Sequence, residues 1–312
     1  MGAMKEFITY SPEDAIEKNL QENQRKAEAL SEQELAHLQE LAVEITQDCG
    51  ENPLWIESLP DQRPPRFSSH PSPIAENNRV LSQLKKIRTT WQSAFLCMEM
   101  RKILQERHLL SPTLFFPELE SATLPERTRV VYQRNSYSDS AFLAFSKKQK
   151  HLQATYAHSF PAACEDVYNG ICELCILPVE TSSEGQLSSF SKLIDRYDLK
   201  IVSICEISGT DSRSTRFALL QKQLPTVWPT GKETFLEISL PLEDSPSPFS
   251  ILLAAELCGL RSYRLDSIPM DAPRGFSAHF VFRTDHADLY AYLLYLAMEA
   301  PHYIPVGIYS KI

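Results

Sequence analysis

Three short stretches gather residue types that do acid–base and anion chemistry. Thr215-Arg216-Phe217 sets a hydroxyl beside a guanidinium. The planar fork of Arg216 pairs bidentately with carboxylates. Glu180-Thr181-Ser182 follows the apolar run Ile176-Leu177-Pro178-Val179, so a carboxylate and two hydroxyls sit at the mouth of a buried strand. Ser138 follows Tyr132-Gln133-Arg134-Asn135-Ser136-Tyr137 at the start of a helical pattern. Other chemistries lack their spacing. His151, His158, His279, His286 and His302 show no metal-ligand arrangement, and Cys172 and Cys175 form a lone C-x-x-C inside an apolar run. No nucleophile-elbow glycines flank a serine, and nine glycines in 312 residues leave no phosphate-binding loop. No metal or cofactor is expected.

The elements that must carry these residues follow from periodicity. Residues 11–47 read as helix, with Leu35, Leu38, Ala42 and Ile45 on one face. Residues 49–72 hold five prolines and read as irregular. Residues 77–107 read as a second long helix with the stripe Val80, Leu84, Ile87, Trp91, Phe95 and Met98. From 128 to 221 strands and helices alternate, which predicts an α/β sheet with parallel neighbours. After a linker at 225–231 the order is β-α-β-β-α-β, the ferredoxin-like order. The fold class is therefore α/β and α+β, multidomain: a helical region at 1–110, one α/β lobe at 127–222 and a ferredoxin-like unit at 232–312.

Composition excludes several partners. A net charge of -9 disfavours nucleic acid and anionic membrane surfaces, which need clustered Lys and Arg. No apolar run approaches the ~20 residues that span a bilayer, and the N-terminus lacks the apolar core of a signal peptide. Seven scattered cysteines predict reduced thiols and a cytoplasmic setting.

In order and spacing, Ser159 to Gly185 and then Thr215-Arg216-Phe217 resemble the prephenate dehydratase family. Ile176-Leu177-Pro178-Val179-Glu180 is similar to its Val-Leu-Pro-Ile-Glu, and Thr181-Ser182-Ser183-Glu184-Gly185 to its Asn-Ser-x-x-Gly with Thr in place of Asn. Tyr132 to Ser138 resembles its Tyr-Gln-Gly-x-x-Gly-x-Tyr-Ser, two residues shorter and without either glycine. Gly259 to Pro269 and Val306-Gly307-Ile308-Tyr309 resemble an ACT domain, the family's amino-acid sensor. There Pro246-Ser247-Pro248 replaces the Gly-Ala-Leu turn, and Ile268 replaces an Arg. Pro73 to Arg79 is faintly similar to the chorismate mutase pattern of bifunctional members, with Val80 where a Glu belongs.

The resemblance implies a periplasmic-binding-protein-like dehydratase lobe in phenylalanine biosynthesis. It implies catalytic Thr215, Arg216 and Phe217, with the Thr hydroxyl assisting departure of the ring hydroxyl. It also implies substrate-binding Ser138, Glu180, Thr181 and Ser182, and ACT-type ligand residues Leu265, Asp266 and Ser267. Prephenate or an aromatic amino acid is the implied ligand, and a homodimer through the ACT-like unit the implied assembly. The family inserts a second lobe before Thr-Arg-Phe, whereas only Ser208 to Ser214 fills that gap here. Two readings follow. A degenerate, regulatory or partner-binding protein expects Arg216 exposed or held in an internal ion pair. An active carbon–oxygen lyase, or a mutase, with its cleft completed by oligomerisation expects Arg216 to face another chain. The framework alternative makes Thr215 an edge-strand residue and Arg216 a surface one, Lys85, Lys86, Arg88, Arg101 and Lys102 a solvated face, and the ACT-like unit a purely structural dimerisation element.

Overall fold

The computed structural model describes residues 32–47, 89–116, 127–209, 213–229, 233–241, 246–269, 276–285 and 287–312. Among these, α1 (Glu32–Gln47), α2 (Thr90–Glu106) and the short α3 (Pro112–Phe115) precede β1 (Thr128–Gln133), α4 (Ser136–Lys148), β2 (Leu152–Ala157), α5 (Phe160–Tyr168), β3 (Leu174–Thr181), β4 (Gly185–Gln186), α6 (Ser188–Arg196), β5 (Lys200–Ser208) and β6 (Ser214–Gln221). Then come β7 (Thr234–Pro241), α7 (Pro248–Leu257), β8 (Arg261–Pro269), β9 (Phe276–Arg283), α8 (Leu289–Glu299) and β10 (Ile304–Lys311).

The lobe and the ferredoxin-like unit share one ten-stranded sheet of order β2-β1-β3-β6-β5-β10-β7-β9-β8, with β4 paired to β3. β2, β1 and β3 are parallel, as the alternating pattern predicts. β6 runs antiparallel to both β3 and β5. It is thus an interior strand, which corrects the edge-strand placement of Thr215: β5, its hairpin neighbour, covers one side, and β3, which lies beyond α6 in the sequence, covers the other. The seam between the two units is the parallel pairing of β10 with β5. Gly307 makes it possible, since a Cβ there would lie 2.6 Å from the Ile201 carbonyl oxygen.

Period-two alternation sorts each strand between two faces. On β6, Phe217 and Leu219 join Val130, Ile176 and Phe145 under α4, while Ala218 and Leu220 join Val167, Ile194 and Ile204 under α5 and α6. On β7, Leu236, Ile238 and Leu240 pack against α7 and α8, and α2 covers those helices through Leu96, Met100 and Leu104.

The second long helix starts at Thr90, not at 77. Thr89 has extended backbone (φ -124, ψ 143) and forms a capping box with Gln92. The Val80, Leu84 and Ile87 half of its stripe, the mutase-like Pro73 to Arg79, Lys85, Lys86 and Arg88 lie outside the described residues, as do helix positions 11–31 and the proline-rich 49–72. Arg101 is only partly solvated: it pairs with Asp288 at the N-cap of α8 at 3.0 Å, tying α2 to the sheet layer. Cys172 and Cys175 are free thiols buried in the core under α5.

Candidate functional site at the seam

Three local devices bring charged groups to one end of the sheet. The first is a β-bulge in β3: Pro178 pairs with Phe217 and Glu180 with Arg216, so Val179 is the extra residue. The bulge turns Glu180 onto the face that carries Arg216. The second is the alternation of β6, which sends Arg216 to the α6 face and leaves Thr215 and Phe217 on the α4 face. The third is the coil of the sheet. Five strands separate β3 from β8 in the sheet order, yet β8 folds back over β3 and β6.

Arg216 and Arg264 each donate from Nη1 to the same oxygen, Glu180 Oε2, at 2.7 Å. Their side chains retain 17% and 24% exposure and that of Glu180 27%, so the cluster is shielded but opens to solvent at Glu180. Arg216 Nη2 reaches Tyr263 Oη at 3.4 Å, and Arg264 Nε lies 2.7 Å from Asp266 Oδ2. Glu206 stands opposite Arg216 on β5 and binds Lys311 at 2.9 Å. That bond and one from Ser214 Oγ at 2.8 Å hold the Glu206 carboxyl below its ordinary value.

Beneath them Glu237 is 4% exposed and accepts a hydrogen bond from Tyr309 Oη at 2.8 Å. Burial pushes the Glu237 carboxyl up, but His279, Arg264 and Tyr309 outweigh it and hold the group below its ordinary value. Burial pushes the Tyr309 phenol well up. For Arg264, burial favours the neutral form, and the surrounding carboxylates overcome it to raise the pKa. A cavity of about 30 Å³ lies among Val179, Arg216, Phe235, Glu237, Arg264 and Tyr309. That is room for roughly two or three waters.

The other sequence candidates stand apart from this cluster. Thr181 Oγ accepts from the Glu184 amide at 3.1 Å and Ser182 Oγ from the Ser214 amide at 3.0 Å, so both hydroxyls close the turn between β3 and β4 against β6. Phe217 is core. Ser138 is fully buried at the start of α4, its amide donating to the N-cap Asn135 Oδ1 at 2.9 Å. The shortened turn thus runs straight into a capped helix, and Arg134, where the family has glycine, stacks 5.0 Å over the Tyr156 ring. Leu265 and Ser267 are exposed on the edge strand β8, and Asp266 faces the other way, toward Arg264. Ile268 is buried, and Ser247 of the altered turn caps α7.

Sequence reasoning missed Tyr263, Arg264, Glu237 and Tyr309. Glu237 carried a signal: a lone carboxylate in the apolar strand Phe235-Leu236-Glu237-Ile238 needs a buried partner. No group of three or more His, Cys, Asp or Glu among the described residues is arranged to hold a metal ion, and no described helix is long and apolar enough to cross a membrane.

No curated protein matches the chain. Among solved structures, prephenate dehydratase from Streptococcus mutans is similar at 19% identity and TM-score 0.48, over 59% of this chain and 98% of that one. GqqA, described as a novel type of quorum quenching acylase, is similar at 18% identity and TM-score 0.46, over 58% and 94%. Prephenate dehydratase from Arthrobacter aurescens in complex with L-Phe is similar at 12% identity and TM-score 0.45, over 58% and 90%. Residues 133–210, from the end of β1 through β5, match the family model for prephenate dehydratase.

Proposed function

We propose that this chain is a prephenate dehydratase-related protein of phenylalanine biosynthesis that has little dehydratase activity and works as a regulatory or partner-binding protein. One observation carries the reading: Arg216 is spent on Glu180 and roofed by Arg264 and Tyr263 of the chain's own C-terminal unit. In place of a second lobe, that unit covers the Arg216 face of the cleft. Prephenate carries a six-membered ring and two carboxylates, and a cavity of about 30 Å³ does not admit it. Thr215, on the opposite face from Arg216, does not share a pocket with it.

The test is phenylpyruvate formation from prephenate, with a Thr215→Ala, Arg216→Ala double variant as control. No turnover above the variant is expected. Turnover that the variant abolishes would sink the reading.

The C-terminal unit supplies the partner surface. β8 is the outer strand of the sheet, with Tyr263 and Leu265 exposed. A second copy paired antiparallel about Leu265 sets Arg264 against Asp266 of the partner subunit, and the reverse, a self-complementary edge. A homodimer through this ACT-like unit is the assembly we propose. An aromatic amino acid against Leu265 and Ser267 would then lie along the dimer seam, with Asp266 on the opposite face, held by Arg264.

A further inference from the structure

β2 is the outermost strand of the lobe, and no described strand pairs with its far edge. The Thr128 amide donates to the His151 carbonyl at 3.2 Å, so His151 and, by alternation, Gln153 and Thr155 turn their backbone groups toward β1. The N–H and C=O groups of Leu152, Ala154 and Tyr156 therefore point outward. The strand Leu152-Gln153-Ala154-Thr155-Tyr156-Ala157 holds no charge and no proline. Native edges are usually blunted by such residues, and β8, the outer strand at the other end of the sheet, carries Arg261, Arg264 and Asp266. The side chains of Leu152, Ala154 and Tyr156 share the α4 face with Val130 and Tyr132. Yet α4 lies chiefly over β3, β5 and β6, which leaves Ala154 exposed and Tyr156 52% exposed.

The surroundings of this edge are cationic in a chain whose net charge is -9. The bond from Thr128 to His151 sets Arg127 beside Lys150 where β1 and β2 begin. Lys147 and Lys148 end α4 just before, where they complement the carbonyl end of the helix. Arg127, Lys147, Lys148 and Lys150 are exposed, and none forms an ion pair with a described residue. The adjacent Glu173 is taken by Arg129 at 2.6 Å. At the other end of β2, Arg134 stacks over Tyr156, with Asp139 4.0 Å away. A second copy fits this edge poorly. Antiparallel pairing that keeps each face in register sets Leu152 against Tyr156 of the partner subunit, and so brings Lys150 near Arg134 of the partner subunit, cation against cation.

We propose that the outer edge of β2 binds an extended segment of an acidic partner protein by strand addition. The segment pairs its backbone with Leu152, Ala154 and Tyr156, sets small or apolar side chains beside theirs, and brings carboxylates to Arg127 and Lys150. The surface lies at the opposite edge of the sheet from β8. It gives partner binding a place that depends neither on the dimer nor on the closed cleft.

The probe is the peptide acetyl-Thr-Val-Ser-Val-Thr-Asp-Glu-Asp-amide, compared with its reversed sequence and with a version carrying Lys in place of the acids. Binding to the intact protein is followed by NMR, with amide exchange read residue by residue. One of the two acidic peptides, whichever runs in the direction the edge accepts, is expected to bind, and to bind more weakly as salt is raised. The Lys peptide is expected to bind at least tenfold more weakly. Exchange should slow at the Leu152, Ala154 and Tyr156 amides and hold at Gln153 and Thr155, which β1 already protects. Ala154→Pro removes an outward N–H at an edge position, where proline is tolerated; it is expected to weaken binding at least tenfold with the melting profile unchanged. Should it fail to fold, Lys150→Glu is expected to weaken binding in the same direction. No binding by either acidic peptide, equal binding of the Lys peptide, or protection that falls elsewhere overturns the proposal. So does a dimer in sedimentation that Ala154→Pro disperses, which would assign the edge to a second copy. Prephenate turnover, measured separately, reports on the closed-cleft reading alone.

Discussion

Replacing Gly307 by Ala should open the sheet where its two halves join. A Cβ at 307 would meet the Ile201 carbonyl oxygen at 2.6 Å, the Ile201 Cβ at 2.8 Å and the Tyr309 ring at 2.8 Å. Real Cβ atoms do not approach that closely, and two of the three obstacles are a strand backbone and its first side-chain atom. The position also lies between register shifts in both of its pairings, with β5 and with β7, so the backbone has little further give. Overpacking of this kind costs about 1–3 kcal/mol, offset in part by the ~0.5–1 kcal/mol by which Gly disfavours a strand interior relative to Ala. A backbone obstacle puts the cost in the upper part of that range, a net of about 1–2 kcal/mol, and at ~2–4 °C per kcal/mol the melting temperature should fall by roughly 2–8 °C. Amide exchange should rise along β5 and β10 and hold along β1 and β2. Gly170→Ala is the control: it has positive φ (74°) and open space, so its strain is local and leaves β5 and β10 protected. An unchanged or raised melting temperature for Gly307→Ala, or exchange that rises everywhere alike, would refute the tight seam.

Two other outcomes are expected. The folded-state pKa of Glu237 is depressed, so its charged form stabilises the fold above the ordinary carboxylate value of 4.5, and that stability is lost as pH falls through the lower folded value; urea unfolding of Glu237→Gln should show a flatter loss of stability below about pH 4.5 than wild type, and parallel curves would count against the Tyr309–Glu237 network. Leu265→Lys places two like charges face to face at the centre of the paired β8 edges, so sedimentation should show a dimer at least tenfold weaker than wild type; a wild-type monomer at high concentration, or an indifferent variant, refutes pairing through β8.

The sequence carried the local half of this architecture. Phe160-Pro161 predicts a helix because Pro suits its first turn, and the ladder of the lobe follows from its alternation of strand and helix. What it hid was non-local. Nothing in Ile304 to Lys311 says that its free edge pairs with Lys200 to Ser208, since hydrogen bonds between strands are read by backbone, not by side chain. The bulge at Val179 was equally silent: without it Glu180 would point to the α4 face, and the ion pair with Arg216 would not form. The Thr89–Gln92 capping box did have a signature, but the apolar stripe ran through it, and the stripe was the stronger local pattern.

Arg216 is intelligible without catalysis. A half-buried arginine would be costly to leave unpaired. Here the anion comes from its own strand neighbour, and the same oxygen anchors Arg264 of the unit that covers it. Removing Arg216 would therefore strand Glu180 and loosen the contact between β8 and the lobe, even in a protein that turns over no substrate. The seam accounts for Arg216 in this chain, and only an assay of prephenate turnover, not the motif, can argue for the reaction.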